Sequence, residues 1–372
     1  MPLLRFAFVT ILMASSTSSH SNTLVAILGD SLSTGAGTHP SFQYEPQSFW
    51  DILEAKTPLT TASMDSLQEF YTTMPTNSPQ MLWPTPREFH GPLEWVGSHL
   101  KRGFSMWFLN EPLYSWGSML AHSLGYTAEN VLIAAENGAR IDSLPTQIDR
   151  VLHTTNRQTP EKVFIFYTGN DLCAAHPNFI TKTEDFSNSL NDSLRYLTLN
   201  GSLAEQGSDI YIVAMAPVQQ LVASPKVLGR KVTAYGLEMT CQQLREKSYR
   251  PDGWLKSTQG LPDAALYFKD FIPPNPALIC PTLFGAPDTV DKNLSFLSGR
   301  IRNYRKVAQE AVEIAQKFAE SNKKNLRFHW VESTTHMQFE GFHIANDCFH
   351  LSLEGQAYLA RTVLSGLPKN EK

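Results

Sequence analysis

The first residue of this chain whose setting suggests chemistry is a serine that follows a strand-like run. Ser31 stands in the string Gly29-Asp30-Ser31-Leu32, between the apolar run 24–28 and a run of small residues at 33–37. That order predicts a buried strand, a tight turn, and then a helix start or a loop. Open α/β sheets build their sites at the carboxyl ends of strands, so the Ser31 hydroxyl is a candidate nucleophile. Taken alone, the string is also compatible with a plain turn.

A pair of residues suited to acid–base chemistry lies near the C-terminus. His350 follows Asp347 by three residues in the string Asp347-Cys348-Phe349-His350. A serine hydroxyl needs a base within hydrogen-bond reach, and the base needs a partner that orients it. Asp347 can bond His350 from the same short loop, hold its tautomer and stabilise the imidazolium. Without other evidence, the pair would also fit a helix cap and a surface histidine.

Two more strings of turn residues follow apolar runs. The run 130–135 ends in Glu136-Asn137-Gly138-Ala139, and the run 163–168 ends in Gly169-Asn170-Asp171. Each string by itself predicts only a turn. Their occurrence at successive strand ends favours a shared site.

The four strings, in this order, resemble the SGNH/GDSL hydrolase family. The matching residues are Ser31 in the first string, Gly138 in the second, Asn170 in the third, and Asp347 with His350 in the last. The resemblance extends from the first strand to the last helix and leaves two long inserts unmatched. It implies a flavodoxin-like fold and a serine esterase that works through Ser31, His350, Asp347 and an acyl-enzyme.

The resemblance also implies an oxyanion hole with three donors. They are the backbone N–H of Ser31, the backbone N–H of Gly138 and the side-chain amide of Asn170. A residue without a side chain allows close backbone approach, and an amide is a neutral donor at any working pH. We interpret Asp30 and Asp171, which adjoin these positions, as acceptors for backbone N–H groups in their loops.

The wording of two strings is similar to the phospholipase B branch of the family. These are Gly-Asn-Asp-Leu-Cys at 169–173 and Asp-Cys-Phe-His at 347–350. This likeness implies a phospholipid or lysophospholipid acyl ester as substrate. A carbohydrate O-acetylesterase is the alternative, because the family also removes acetyl groups from sugars. A binding module without catalysis is a third reading, weakened because every family position is filled.

Elements that would position these residues alternate along the chain. Five apolar runs predict strands, at 23–29, 129–135, 162–168, 209–216 and 325–332. Amphipathic segments predict helices, at 116–124, 185–199, 291–321 and 352–364. Continuous apolar runs suit strands that are buried on both faces. The alternation predicts an α/β fold, a three-layer α/β/α sandwich around a parallel sheet of about five strands.

We expect one domain over 21–372, interrupted by inserts at about 38–112 and 218–290. Both inserts are rich in proline, and the first also in aromatic residues. Loops of this length are usually functional, disordered or equipped with short elements of their own, and aromatic residues argue against disorder. We expect the inserts to cover the strand ends and shape the pocket; a surface cover without substrate contact is the alternative.

The N-terminal segment 1–20 has the pattern of a secretory signal peptide. Arg5 is followed by the apolar run 6–14 and by small residues at 15–19. The apolar run is too short to span a bilayer. We therefore expect a secreted or periplasmic protein without a transmembrane anchor, which makes at most transient contact with a membrane surface.

Four cysteines, an even number, permit disulfides in an exported chain. They stand at 173, 241, 280 and 348, and three connectivities exist. We expect Cys241–Cys280, because both lie in one insert. We also expect Cys173–Cys348, because these two flank Asn170 and Asp347, which must converge.

The net charge and the spacing of the histidines bear on whether the protein binds nucleic acid or a metal ion. A net charge of −4, a pI near 6.3 and the absence of a Lys/Arg run give no case for nucleic acid. His336, His343 and His350 recur every seven residues, but no cysteine or carboxylate accompanies them at ligand spacing. We expect no metal and no cofactor, with an ester, most naturally a lipid, as the partner.

Overall fold

The computed structural model describes part of the chain. The described residues are 24–35, 115–126, 130–136, 138–174, 177–201, 207–234, 237–249, 280–284 and 287–369. The predicted signal peptide at 1–20 and the insert at 38–112 lie outside them, as does the middle of the insert at 218–290. Within these ranges, no helix has the length and apolar character needed to cross a bilayer.

Parallel strands form the central sheet, as the sequence predicts. The strands are β1 (Val25–Gly29), β2 (Val131–Ile133), β3 (Lys162–Phe166), β4 (Ser208–Val213), β5 (Lys231–Ala234), β6 (Leu237–Thr240) and β7 (Leu326–Val331). Five of them pair in the order β2-β1-β3-β4-β7, all parallel, while β5 and β6 form a separate antiparallel hairpin. The five expected strands all form, each a little shorter than its apolar run.

Helices follow most strands. They are α1 (Ser31–Thr34), α2 (Trp116–Ser123), α3 (Leu144–Thr154), α4 (Thr183–Asn200), α5 (Gln220–Ala223), α6 (Pro225–Leu228), α7 (Cys241–Tyr249), α8 (Pro281–Phe284), α9 (Pro287–Ser321) and α10 (Leu353–Gly366). The four predicted helices correspond to α2, α4, α9 and α10. The sequence analysis did not anticipate α3, or the hairpin and short helices inside the second insert.

Alternate residues of β3 show how the layers form. Phe164 and Phe166 point to one face of the sheet, where both meet the Trp116 ring edge-on at centroid distances of 6.3 and 5.5 Å. Ile165 points to the other face, towards a cavity of about 20 Å³ that Phe186 and Tyr304 also line. Helix α2 packs on α10, α3 packs on α4, and α4 packs on α9. The predicted three-layer α/β/α fold is therefore confirmed.

The ends of β1 and β3 approach each other very closely at Gly29. A Cβ at this position would lie 2.1 Å from the carbonyl oxygen of Phe166, and the φ of +146° is unfavourable for a residue with a side chain. The buried Gln147 of α3 fixes the same residue twice. The Gly29 N–H donates to Gln147 Oε1 at 2.8 Å, and Gln147 Nε2 donates to the Gly29 carbonyl at 2.9 Å.

The disulfides form, but with a different pairing from the predicted one. Cys173 is bonded to Cys280, and Cys241 to Cys348. The predicted pairs Cys241–Cys280 and Cys173–Cys348 are therefore wrong. The reason is that the two cysteines of the insert lie in different apolar clusters. Cys241 and Cys348 lie together in a small apolar cluster, whereas Cys173 and Cys280 both belong to the main hydrophobic core.

We expect Gly29→Ala to destabilise the protein. The strained φ alone costs about 1–3 kcal/mol in a residue with a side chain, and the overlap with Phe166 adds to that cost. Gly299→Ala is the matched control, because Gly299 lies inside α9, where an added Cβ meets no atom within 4 Å. That control should gain about 0.5–1 kcal/mol of helix stability. Urea unfolding measures both, and equal stability of the two variants would contradict the close approach.

Candidate active site

Ser31 is the first residue of α1, directly after the turn that ends β1. Asp30 caps this helix, because its Oδ1 accepts the Leu32 N–H at 3.0 Å. The other oxygen of Asp30 accepts the N–H of Thr168 at 2.9 Å and its hydroxyl at 2.6 Å. The interpretation of Asp30 as an acceptor for backbone N–H groups is confirmed. The turn that carries Ser31 is thereby fixed to the end of β3.

His350 lies close enough to this turn to act on it electrostatically. Burial raises the pKa of Asp30, and hydrogen bonds from Thr168 and Leu32 lower it less than burial raises it. The charge of His350 is a further influence that lowers the pKa of Asp30. Although β1 and β7 are not neighbours in the sheet, the loops after them therefore lie within electrostatic range of each other.

Asp347 and His350 form a buried pair. His350 Nδ1 lies 2.5 Å from Asp347 Oδ2, while Oδ1 accepts the N–H groups of Phe349 and His350 at 3.0 and 2.9 Å. Asp347 is 1% exposed and His350 is 8% exposed. Burial would raise the pKa of Asp347, but the charge and the hydrogen bonds of His350 outweigh it and lower the pKa. Asp347 is therefore ionised, as an orienting carboxylate must be.

The loop that carries this pair is held from several sides. Ala345 N–H donates to the His350 carbonyl at 2.8 Å, which closes the loop on itself. Cys348, inside the loop, has a φ of +58° and is bonded to Cys241 at the start of α7. A non-glycine residue rarely adopts this conformation unless its surroundings impose it.

His343 has a structural position at the base of this loop. Its Nδ1 accepts the Glu340 N–H at 3.0 Å, and its ring stacks on Tyr358 of α10 at 4.5 Å. Burial lowers the pKa of His343 to about 4, so the ring is neutral near pH 7. Across the described ranges, no group of three His, Cys, Asp or Glu side chains is arranged to hold a metal ion.

Gly138 and Asn170 come together at the ends of β2 and β3. The Asn170 amide Nδ2 donates to the carbonyl of Ala139 at 3.0 Å. An asparagine amide carries two N–H groups, and this bond uses one of them. Gly138 has a φ of +80°, and a Cβ there would meet no atom within 4 Å. A side chain at position 138 would therefore meet none of the described residues, but the φ of +80° favours glycine there.

The Gly138 turn is anchored to the same strand end as Ser31. The Glu136 N–H donates to the Gly29 carbonyl at 3.0 Å, and the Ala139 N–H donates to the Glu136 carbonyl at 3.2 Å. The Glu136 carboxylate pairs with Arg150 of α3 at 3.1 Å. The structure thus places the predicted residues of the first three strings at the adjoining carboxyl ends of β1, β2 and β3.

Sequence reasoning missed Gln356, which links the two halves of the site. This residue of α10 is fully buried; its Nε2 donates to the Leu32 carbonyl at 3.1 Å, and its Oε1 accepts the Trp116 N–H at 2.9 Å. It ties α1, which begins with Ser31, to the helix that begins just after His350. A single glutamine in a helix carries no sequence signal of such a role.

The second insert borders both loops through its described parts. The Thr282 hydroxyl donates to the Leu172 carbonyl and accepts the Ala174 N–H at 3.2 Å. Phe284 meets Phe349 edge-on at 5.4 Å, and Phe349 meets the His350 ring at 4.8 Å. The Cys280 end of the insert is therefore packed between the Asn170 loop and the His350 loop.

Comparison with known proteins agrees with this geometry. The family model of GDSL-like lipases/acylhydrolases matches residues 25–363, which include all four strings. No curated protein matches the chain. A match over most of the sequence shows the family, and with it a serine hydrolase that acts on carboxylic esters. The chain belongs to the GDSL-like lipase/acylhydrolase family.

Proposed function

We propose that Ser31 is the nucleophile of this ester hydrolase, His350 its general base and Asp347 the residue that orients His350. The observation that carries the proposal is the buried Asp347–His350 pair, bonded at 2.5 Å through Nδ1. Because Nδ1 is engaged, Nε2 is the nitrogen left to take the hydroxyl proton. His350 also acts on the pKa of Asp30, the residue before Ser31, which supports its place beside the nucleophile.

The reaction then follows the two steps of serine hydrolases. Ser31 attacks the ester carbonyl as His350 takes its proton, and His350 returns the proton to the leaving alcohol. Water activated by the same histidine releases the acid from the acyl-enzyme. The Ser31 and Gly138 N–H groups and the Asn170 amide stabilise the oxyanion; losing one such donor costs on the order of 2.7–4 kcal/mol in the transition state.

The substrate that we favour is a phospholipid or lysophospholipid acyl ester. Its support is the likeness of the 169–173 and 347–350 strings to the phospholipase B branch. One aromatic side chain of the second insert, Phe284, packs on Phe349, whose ring meets that of His350. Apolar and aromatic surroundings suit an acyl chain. Contact with a lipid surface would be transient.

We further propose that the mature protein comprises residues 21–372 as one domain and works outside the cytoplasm. Its two disulfides support this, because such bonds persist in oxidising compartments. The signal-like pattern at 1–20 supports export independently. Edman or mass-spectrometric reading of the mature N-terminus after expression with residues 1–20 tests the processing.

Ser31→Ala should abolish ester hydrolysis and leave the fold intact. Removal of a catalytic serine lowers kcat by on the order of 10⁶-fold in serine hydrolases. A fluorophosphonate should label the wild type at Ser31 and leave the variant unlabelled, which peptide mass mapping checks. Thr34→Ala is the control on the same short helix, because the Thr34 hydroxyl bonds the Ser31 carbonyl and has no part in the proposed chemistry. Labelling at a different residue would refute the assignment.

A series of nitrophenyl esters of increasing acyl length separates the substrate classes. Long-chain preference in kcat/KM is the expected result for a lipid esterase. Activity on acetate alone would replace the lipid proposal with the carbohydrate O-acetylesterase. Absence of hydrolysis with every ester, together with absence of fluorophosphonate labelling, would leave a binding module.

Removing the Cys241–Cys348 disulfide should lower kcat. This bond holds the loop of Asp347 and His350, and a displacement of about 1 Å can cost about 10²-fold. The matched control removes Cys173–Cys280, because both bonds span 107 residues and the chain-entropy model gives both about 4.7 kcal/mol.

Each disulfide is removed by replacing both of its cysteines with serine, and the pH dependence of kcat/KM distinguishes the two double variants. The acid limb of kcat/KM reports the pKa of the general base in the free enzyme. Loss of Cys241–Cys348 should move this limb, whereas loss of Cys173–Cys280 should not. Urea unfolding of both confirms that their losses of stability match. Unchanged kcat and pH dependence without Cys241–Cys348 would show that the bond does not position the pair.

A further inference from the structure

Asp171 is a buried carboxyl group that the proposed chemistry does not use. It follows Asn170 directly, in the 3-10 turn Asn170–Leu172, and is 1% exposed. Its Oδ2 accepts the Ile141 N–H at 3.1 Å, and its carbonyl accepts the Thr181 N–H at 3.1 Å. Its side chain therefore joins the loop after β3 to the loop after β2.

Among the described residues, three hydrogen bonds connect these two loops. Asn170 Nδ2 donates to the Ala139 carbonyl at 3.0 Å, Arg140 donates to the Cys173 carbonyl at 2.7 Å, and the Ile141 N–H donates to Asp171. Two of the acceptors are backbone carbonyls, which do not titrate. The acceptor in the third bond, the Asp171 carboxyl group, does titrate. Ionisation of Asp171 therefore changes the charge where the loops of the proposed oxyanion donors are joined.

We propose that Asp171 is a positioning residue of the oxyanion hole, which works as a neutral carboxylic acid and acts through Asn170 and the 138–141 turn. This inference rests on the proposed function. A neutral carboxyl still accepts the Ile141 N–H, so the two loops stay joined. An ionised one adds a negative charge one residue from Asn170, inside the protein, where it repels the oxyanion that the hole has to stabilise.

The surroundings of Asp171 favour the neutral form. Among the residues that the structure describes, Oδ1 accepts no hydrogen bond of normal geometry, and the nearby, buried Tyr167 hydroxyl has no hydrogen-bond partner. The charge of Asp171 is the largest electrostatic influence on the pKa of Tyr167, which burial raises first of all. An ionised carboxylate needs several donors to replace its hydration, and this one lacks them.

Charged and titratable groups face Asp171 from each element packed against it. Asp142 and Arg140 lie on the loop after β2, Tyr167 at the end of β3, and Tyr304 on α9. The pKa of Asp171 is raised to about 7, mainly by burial and also by the charge of Asp142. The Thr181 side chain, the Ile141 N–H and the charge of Arg140 lower it, but by less.

The main test compares wild type with Asp171→Asn in kcat on one nitrophenyl ester across neutral pH. Asparagine keeps an acceptor for the Ile141 N–H and cannot ionise. The wild-type kcat should fall as the pH rises through about 7, and the variant should lose this fall while KM changes little. Asn170→Ala, the reference, should lower kcat at every pH. An identical fall in wild type and Asp171→Asn overturns the proposal.

Asp142→Asn tests the same ionisation without touching the hole. Asp142 is exposed, and its charge opposes the ionisation of Asp171. Without that charge Asp171 ionises at lower pH, so the fall in kcat should move to lower pH, and Asp142→Lys should move it further. A fall that stays in place in both variants overturns the proposal.

Urea unfolding separates this inference from the proposed function. The folded protein holds the Asp171 proton more tightly than the unfolded chain, since its pKa rises from 3.8 to about 7. The stability that this provides is present below the unfolded pKa and is lost as the pH rises through about 7. Asp171→Asn should lack that loss. If no ester is hydrolysed, the proposed function fails. Separately, if the urea midpoint depends on pH in the same way in wild type and in Asp171→Asn, Asp171 is not held neutral and the inference is overturned.

Discussion

The carboxylate of Asp30 ties the end of β1 to the end of β3, and the rest of the site depends on that contact. It accepts one N–H from the helix that begins with Ser31 and two donors from Thr168, two residues before Asn170. Gly29 allows the contact, because a side chain there would collide with Phe166. Hydrogen bonds to a charged group contribute about 1.5–3 kcal/mol each, which offsets part of the cost of burying the carboxylate. One buried interaction therefore sets the separation of the first and third loops.

Three aspartates that are each about 1% exposed differ in ionisation because their donors differ. Asp347 is bonded to the His350 ring, and the charge and hydrogen bonds of His350 lower its pKa below the ordinary value. Asp30 accepts three hydrogen bonds from neutral groups, and burial still raises its pKa. Asp171 accepts fewer, and its pKa rises to about 7. The nature of the partner, more than the number of bonds, decides the direction in which burial and bonding together move each pKa.

The sequence was sufficient for the sheet and for the candidate residues. Strands buried on both faces are continuous apolar runs, and each of the four strings follows such a run or precedes a helix with a clear cap. Helix α3 was not predicted, although Pro145 in its first turn and its amphipathic pattern are both signals of a helix. The disulfide pairing was predicted wrongly, because neighbours in sequence within the insert are separated in space. The clamps by Gln147 and Gln356 depend on contacts across 118 and 240 or more positions, which no local pattern encodes.

The crossed order of the two disulfides changes what a break in the chain would do. Cys173 pairs with Cys280 and Cys241 with Cys348, so each bond has one end on either side of the stretch 242–279. A single proteolytic cut anywhere in that stretch produces one fragment with Ser31 and Asn170 and another with Asp347 and His350. Both disulfides would then join the fragments. The nicked protein would run as a single chain until it is reduced, and its hydrolytic residues would remain in one covalent molecule.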